Sequence, residues 1–169
     1  GDADTLDKIY NFIPEKSYGG EVYGIANGGT AGGIVYNKKV WADAGISELP
    51  ATPDEFLEDL QTIKDKTDAV PLYTNFAAGW TMGAWDDYIY IPATGDADYK
   101  NKLPHLKDPF SKQGDMTGPY AVYYTLYEAV KRGLVEEDPA SSDWESSKGA
   151  INKGEIAAMV LGSWAVEQC

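Results

Sequence analysis

Apolar residues recur at helical spacing in several stretches of this chain. The clearest predicted helix begins at a Thr52–Glu55 capping box and continues to about Lys66, because a hydroxyl, a proline and an acidic residue here precede the apolar repeat. The same pattern predicts a helix from about Pro119 to Arg132. A further helix is predicted from a Ser142–Glu145 capping box to near Gly154.

Short apolar runs alternate with these helices and predict strands. The runs are Glu21–Ile25, Ile34–Tyr36, Val70–Thr74 and Ile156–Leu161, and the last is continuously apolar, which is typical of a strand covered on both faces. Residues 96–118 are polar and rich in turn-forming residues, so we expect an excursion over the surface. Alternating helices and strands indicate an α/β fold with a mostly parallel sheet flanked by helices.

Composition excludes several classes of function. The chain has 169 residues and a formal net charge of -13, which disfavours nucleic acid and anionic lipid as partners. One cysteine, Cys169, and one histidine, His105, give no internal disulfide, no Cys/His zinc set and no evident Ser-His-acid triad. We therefore expect no metal and no cofactor. The glycines of residues 28–33 precede a strand, so they do not form a phosphate-binding loop.

Two of the five tryptophans follow predicted strand ends, where ligands bind in open α/β sheets. Trp80 comes shortly after Val70–Thr74, and Trp164 comes directly after Gly162-Ser163. An indole can cover the apolar C–H face of a pyranose ring, while carboxylates and amides accept hydrogen bonds from its hydroxyls. Asp86 is a candidate acceptor on these chemical grounds. Trp41 and Trp144 lie on predicted helical faces, and we expect them to serve packing.

Five segments form a recognisable set: Tyr23-Gly24-Ile25, Gly33–Lys38, Ala42–Ile46, Thr52–Phe56, and Lys153–Met159 leading to Gly162–Ala165. Together they resemble family 1 extracellular solute-binding proteins, in the order that the family has and over nearly the whole chain.

The resemblance implies a periplasmic-binding-protein-like fold of type II, with two α/β lobes that close on a ligand. Residues 1–30 would be the remainder of the first lobe and the hinge crossing, and residues 31–169 most of the second, C-terminal lobe, so we expect a fragment. By the same resemblance Trp164 would be the sugar-stacking platform. Trp80, with Asn75 as a weaker candidate, would come from a neighbouring loop, and Thr30 would be a polar contact at the hinge.

The function that follows is the binding of an oligosaccharide outside the cell and its delivery to the membrane permease of an ABC importer, without catalysis. The full-length protein would be a membrane-anchored lipoprotein or periplasmic, and the truncated lobe could associate with itself. An alternative is a fragment of a carbohydrate-active enzyme that uses acidic residues such as Asp86 and Glu128. A third is a structural or interaction domain whose tryptophans all lie in the core.

Overall fold

A computed structural model describes residues 17–24, 31–87, 89 and 93–169 of the chain. Thr30 and the predicted helix tail at residues 5–13 lie outside the described residues. In chain order the principal elements are β1 (Ser17–Tyr18), β2 (Glu21–Val22), β3 (Gly32–Tyr36), α1 (Lys38–Asp43), α2 (Pro53–Lys66), α3 (Trp80–Asp87), α4 (Tyr99–Lys102), α5 (Pro119–Lys131), α6 (Trp144–Lys153) and β4 (Ala158–Gly162), with short 3-10 turns at Leu103–His105, Pro139–Ser141 and Ser163–Gln168.

Helix α2 confirms its predicted start. The Thr52 hydroxyl accepts a hydrogen bond from the backbone N–H of Glu55 at 3.2 Å, and the Glu55 carboxylate accepts one from the N–H of Ala51 at 2.7 Å. The first bond satisfies a backbone donor that the first helical turn leaves without an intrahelical partner, and the second joins the residue before the cap to the helix. The apolar face of α2 is buried as the spacing predicts, with Leu57 and Leu60 at 0% exposure.

The predicted cap of helix α6 is wrong by one residue. The N-cap is Asp143, whose carboxylate accepts a hydrogen bond from the N–H of Ser146 at 3.1 Å. The Ser142 hydroxyl instead donates to the carbonyl oxygen of Pro139 and accepts from the N–H of Ala77. The helix ends as predicted at Gly154, which is left-handed with φ 81°.

Helix α5 also ends where the sequence predicts, but part of its predicted apolar face is wrong. Ala121, Val122 and Ala129 are buried, whereas Tyr123 and Val130 are 41% and 51% exposed. The buried stripe faces α2 and α3, so the two exposed side chains lie on its outer edge.

Strand pairing does not confirm a mostly parallel sheet. The extended ladder among the described residues is antiparallel and joins β3 to β4, from Gly32 opposite Gly162 to Tyr36 opposite Ala158. Isolated parallel bridges then join Tyr73 to Met159 and Leu72 to Val135. The result is a partial α/β fold with mixed pairing.

Strand β4 lies between two apolar cores and is buried along its whole length. Because neighbouring strand residues point to opposite faces, Ala158 and Val160 join a core formed with helices α1, α2, α3 and α5. Met159 and Leu161 join a second core that includes Ile151 of α6. The prediction that this continuously apolar strand is covered on both faces is therefore confirmed.

The predicted surface excursion contains short elements only, α4 and the turn that follows it. No helix in the described part of the chain is long and apolar enough to cross a membrane.

Candidate functional site

Three tryptophans from distant parts of the chain lie against one another. The ring centroids of Trp80 and Trp144 are 5.0 Å apart, and the ring of Trp164 is 5.9 Å from each of the other two. Trp80 is 49% exposed, and Trp144 and Trp164 are half-buried against the second core. We call these three residues the tryptophan cluster.

The sheet explains why the cluster forms. The segments around Tyr73, Val135 and Met159 run parallel, as their bridges show, so they end at the same edge. Trp80, Trp144 and Trp164 each follow one of these carboxyl ends. The carboxyl edge of such a sheet is where ligands bind in open α/β folds.

Trp80 is the first residue of α3 and follows a turn of residues 74–79. The buried carboxylate of Glu136 accepts hydrogen bonds from the backbone N–H groups of Thr74 and Asn75, at 2.8 and 3.1 Å, and from the Thr74 hydroxyl at 2.5 Å. The buried hydroxyl of Thr81 donates to the carbonyl oxygen of Asn75 at 2.7 Å. Both ends of the turn are thereby fixed.

Further hydrogen bonds join this turn to the start of α6. The N–H of Ala77 donates to the Ser142 hydroxyl at 3.0 Å, and the N–H of Asp143 donates to the phenolic oxygen of Tyr73 at 3.2 Å. Trp144 follows Asp143 directly. The segments that carry Trp80 and Trp144 are therefore held together by these hydrogen bonds as well as by the contact between their rings.

Charged groups surround Trp144. The Lys148 ammonium lies 5.4 Å from the centre of the Trp144 ring and forms an ion pair of 2.7 Å with Glu145. Hydrogen bonding to Ser146 lowers the pKa of the Asp143 carboxyl below its usual value. An anionic carboxylate at the N-cap stabilises α6, because the N-terminus of a helix carries a partial positive charge.

Asn75 lies beside the cluster but offers no surface to a ligand, since it is only 1% exposed. Its backbone is left-handed at φ 57°, and its amide nitrogen donates to the Met159 sulfur at 3.4 Å. Its side-chain oxygen has no hydrogen-bond partner among the described residues. Asn75 is therefore a buried residue of the turn that precedes Trp80, and its side chain packs against β4.

Asp86 lies further along α3 and accepts a hydrogen bond from the Tyr123 hydroxyl on α5. Six residues of helix separate it from Trp80, which corresponds to about 9 Å along the axis. Tyr123 in turn contacts Phe110, with ring centroids 6.2 Å apart. The structure thus pairs Asp86 with Tyr123 of α5, which contacts Phe110 in the turn-rich segment, and does not add Asp86 to the cluster.

Thr30 lies outside the described residues, but the residue after it is tied to the cluster. The N–H of Ala31 donates to the Ser163 hydroxyl at 3.0 Å, and the N–H of Ser163 donates to the carbonyl oxygen of Ala31 at 2.7 Å. Ser163 directly precedes Trp164.

Surface depressions border the cluster without including its rings. One of about 510 Å³ is lined by Tyr73 and by Glu145 and Ser146, next to Trp144. Another of about 330 Å³ is lined by residues of β3, Ser163 and Val166, next to Trp164. The indoles do not line these two depressions, and Trp80 is the most exposed of the three. No group of His, Cys, Asp or Glu suited to a metal ion occurs in the described ranges.

Trp144 lies on a predicted helical face and is expected to serve packing. It does contact the second core, and it also lies against the rings of Trp80 and Trp164. The rule that selects Trp80 and Trp164 reaches Trp144 only once the structure shows the strand-like segment at Val135, which α6 follows. Trp41, in contrast, is buried as expected, and its indole N–H donates to the carbonyl oxygen of Ala157 at 3.1 Å.

Residues 2–168 match the family described as bacterial extracellular solute-binding protein. The solved structure of BlMnBP1, an ABC-transporter binding protein from Bifidobacterium animalis subsp. lactis in complex with mannobiose, is 57% identical to the chain, with a TM-score of 0.88 over 99% of it. A second protein from that organism, the manno-oligosaccharide specific BlMnBP2 in complex with mannotriose, is 56% identical over 99% of the chain, with a TM-score of 0.87. The chain covers 40% of each of these structures.

A curated relative is the diacetylchitobiose binding protein DasA of Streptomyces coelicolor. It is 70% identical over 40 residues, which are 24% of this chain and 9% of the relative. The chain thus spans less than half of the proteins that it matches.

Proposed function

The chain belongs to the family of bacterial extracellular solute-binding proteins, and from this premise we propose that it forms most of one lobe of an oligosaccharide-binding protein of an ABC importer. The full-length protein captures the sugar outside the cell and presents it to a membrane permease. Residues 31–169 are most of the second lobe, and residues 1–30 belong to the hinge and the first lobe. This division agrees with a chain that covers 40% of its solved relatives.

The observation that carries the proposal is the tryptophan cluster. The three indoles lie at one sheet edge with their planes inclined to one another by 83°, 44° and 57°, and the 49% exposed ring of Trp80 offers a flat apolar face of the kind that a pyranose C–H face covers. The polar groups around it, including the Glu145 carboxylate and the Lys148 ammonium, suit hydroxyl groups at the rim. Trp164 and Trp80 are the principal ligand contacts, and Trp144 joins them.

The ligand that we propose is a manno-oligosaccharide. Its support is the identity of 57% and 56% to two proteins that were solved with mannobiose and mannotriose. The other lobe contributes the remaining hydrogen bonds, so one lobe alone binds weakly. Closure of the two lobes around the ligand removes water and strengthens those bonds.

An enzyme that uses Asp86 and Glu128 is less well supported. Hydrogen bonding to Lys131 and Arg132 lowers the pKa of Glu128, whereas a general acid for glycoside cleavage needs a raised pKa. Asp86 is engaged by the Tyr123 hydroxyl. A purely structural domain with all its tryptophans in the core agrees poorly with the exposure of Trp80.

The family description, bacterial extracellular solute-binding protein, supports a location outside the cytoplasm, and we propose a lipoprotein anchor or a periplasmic location for the full-length protein. Extraction with detergent and metabolic labelling of the full-length protein with a fatty acid test the anchor.

The test of function is calorimetric titration of the full-length protein with mannotriose, maltotriose and diacetylchitobiose. We expect saturable binding of mannotriose, weaker binding of the other two, and a large loss of affinity in Trp164→Ala. The absence of any sugar binding by a folded full-length protein would contradict the proposal. Release of mannose from mannotriose during incubation would favour the enzyme.

A further inference from the structure

Glu136 is a buried carboxylate that has no direct contact with the open face of the cluster. It is 6% exposed, and both of its oxygens accept hydrogen bonds from the turn at residues 74–75. Burying an ionised carboxylate is unfavourable unless donors surround it, and here three donors converge on it. Such an arrangement is a strong local constraint on the backbone of the turn.

The constraint continues from Glu136 to Trp80 through a chain of short contacts. The Thr74 hydroxyl, which donates to Glu136, accepts from the N–H of Phe76 at 3.2 Å. The Thr81 hydroxyl donates to the carbonyl oxygen of Asn75 at 2.7 Å and lies 2.8 Å from that of Ala78, so it joins the two ends of the turn. Thr81 follows Trp80 directly, so the start of α3 is set by this network.

The same turn also reaches the other two members of the cluster. Its Ala77 N–H bonds to Ser142, two residues before Trp144. Its Asn75 amide contacts Met159 in β4, the strand that leads to Trp164. The turn is therefore the element through which all three tryptophan-bearing segments are held in register.

We propose that Glu136 is a positioning residue for the tryptophan cluster: its carboxylate fixes the 74–81 turn and thereby sets the position of Trp80 against Trp144 and Trp164. Its effect on sugar affinity rests on the function proposed above. Its effect on ring geometry does not depend on any ligand.

Both carboxylate oxygens of Glu136 accept hydrogen bonds, so the site requires a hydrogen-bond acceptor at each of the two positions. A carboxylate only accepts hydrogen bonds, whereas a glutamine amide of the same shape has one accepting oxygen and one donating nitrogen. In Glu136→Gln that nitrogen faces an N–H or O–H donor, so the turn must move or leave a buried donor unsatisfied. We expect the Kd for mannotriose to rise about tenfold, the change produced by roughly one charge-assisted hydrogen bond.

The test compares Glu136→Gln with Glu137→Gln in the full-length protein. The control removes the same charge at the next position, where the side chain is exposed. Circular dichroism measures the exciton couplet of closely spaced indoles, which depends on the mutual orientation of the rings at 5.0 and 5.9 Å. We expect a reduced couplet and weaker mannotriose binding in Glu136→Gln, and wild-type values for both in Glu137→Gln.

An unchanged couplet and unchanged affinity in a folded Glu136→Gln protein would overturn the proposal. If wild type binds no mannotriose, the proposed function fails, while the couplet still tests the positioning role. If Glu136→Gln does not fold, Thr74→Val and Thr74→Ser take its place. We expect the couplet to fall in the valine variant, which lacks the hydroxyl, and to be restored in the serine variant. Equal couplets in the two would likewise overturn the proposal.

Discussion

Truncation of Trp80 tests the tryptophan cluster most sharply among single substitutions. Its ring is the most exposed of the three and lies 5.0 Å from Trp144. In Trp80→Ala, a sugar that stacks on this ring loses its apolar contact, and the fold should survive because Trp80 is not part of either core.

The exposed area of the ring gives the expected size of the effect. A tryptophan side chain has about 200 Å² of surface, and Trp80 is 49% exposed, so about 100 Å² is open to a ligand. At about 25 cal/mol per Å², complete cover contributes about 2.5 kcal/mol, and cover of half that area about 1.2 kcal/mol. The Kd should therefore rise roughly 8- to 70-fold.

The assay is calorimetric titration of the full-length protein with mannotriose. Tyr127→Ala is the matched control, because Tyr127 is an exposed aromatic residue on α5, at 63% exposure, and its ring contacts the Lys131 ammonium. Trp80→Ala should bind more weakly by the stated factor, and Tyr127→Ala should bind as wild type does. A Trp80→Ala protein that retains full affinity would refute the stacking argument.

Three further predictions concern stability and are checked by urea unfolding. Gly154→Ala should cost about 1–2 kcal/mol because residue 154 is left-handed, and the added Cβ would lie 3.2 Å from Val40. Leu60→Ala should cost about 2–5 kcal/mol, since Leu60 is completely buried in the first core. Asp143→Asn should keep the helix cap but remove its charge, so wild type should be the more stable protein at pH 7, and this advantage should disappear as the pH falls.

The sign of the pH effect follows from the depressed pKa of Asp143. A carboxyl group whose pKa is lower in the folded state stabilises the fold above the pKa of the unfolded chain, about 3.9. That contribution is lost as the pH falls through the lower folded pKa, which hydrogen bonds to Ser146 produce. An Asp143→Asn protein whose stability relative to wild type is the same at every pH would contradict this assignment. Gly154→Ala with wild-type stability would contradict the strain at the end of α6.

Local chemistry is what the sequence predicts well. The Thr52 cap, the buried face of α2, the left-handed stop at Gly154 and the continuously buried strand β4 are each determined by residues that are close in the chain. The position of Trp164 just after a strand end could be predicted for the same reason.

Contacts between distant segments could not be predicted in the same way. Trp144 belongs to the cluster only because the parallel segments around Tyr73 and Val135 end at the same sheet edge. No local sequence pattern encodes the pairing of these segments. Asp86 binds a hydroxyl 37 residues away on another helix, which sequence spacing does not reveal. The sequence does not predict helix α3, because its small and aromatic residues show little helical periodicity.

The central claim is that Trp80, Trp144 and Trp164 bind sugar together, and the indole N–H resonances test it directly. The chain contains five tryptophans, and two of them, Trp41 and Trp85, are only 4% exposed and serve as internal references. In a titration of the full-length protein with mannotriose, we predict large shifts for the three residues of the cluster and small ones for the two references. Binding of mannotriose with no shift in any of the three cluster resonances would contradict the claim.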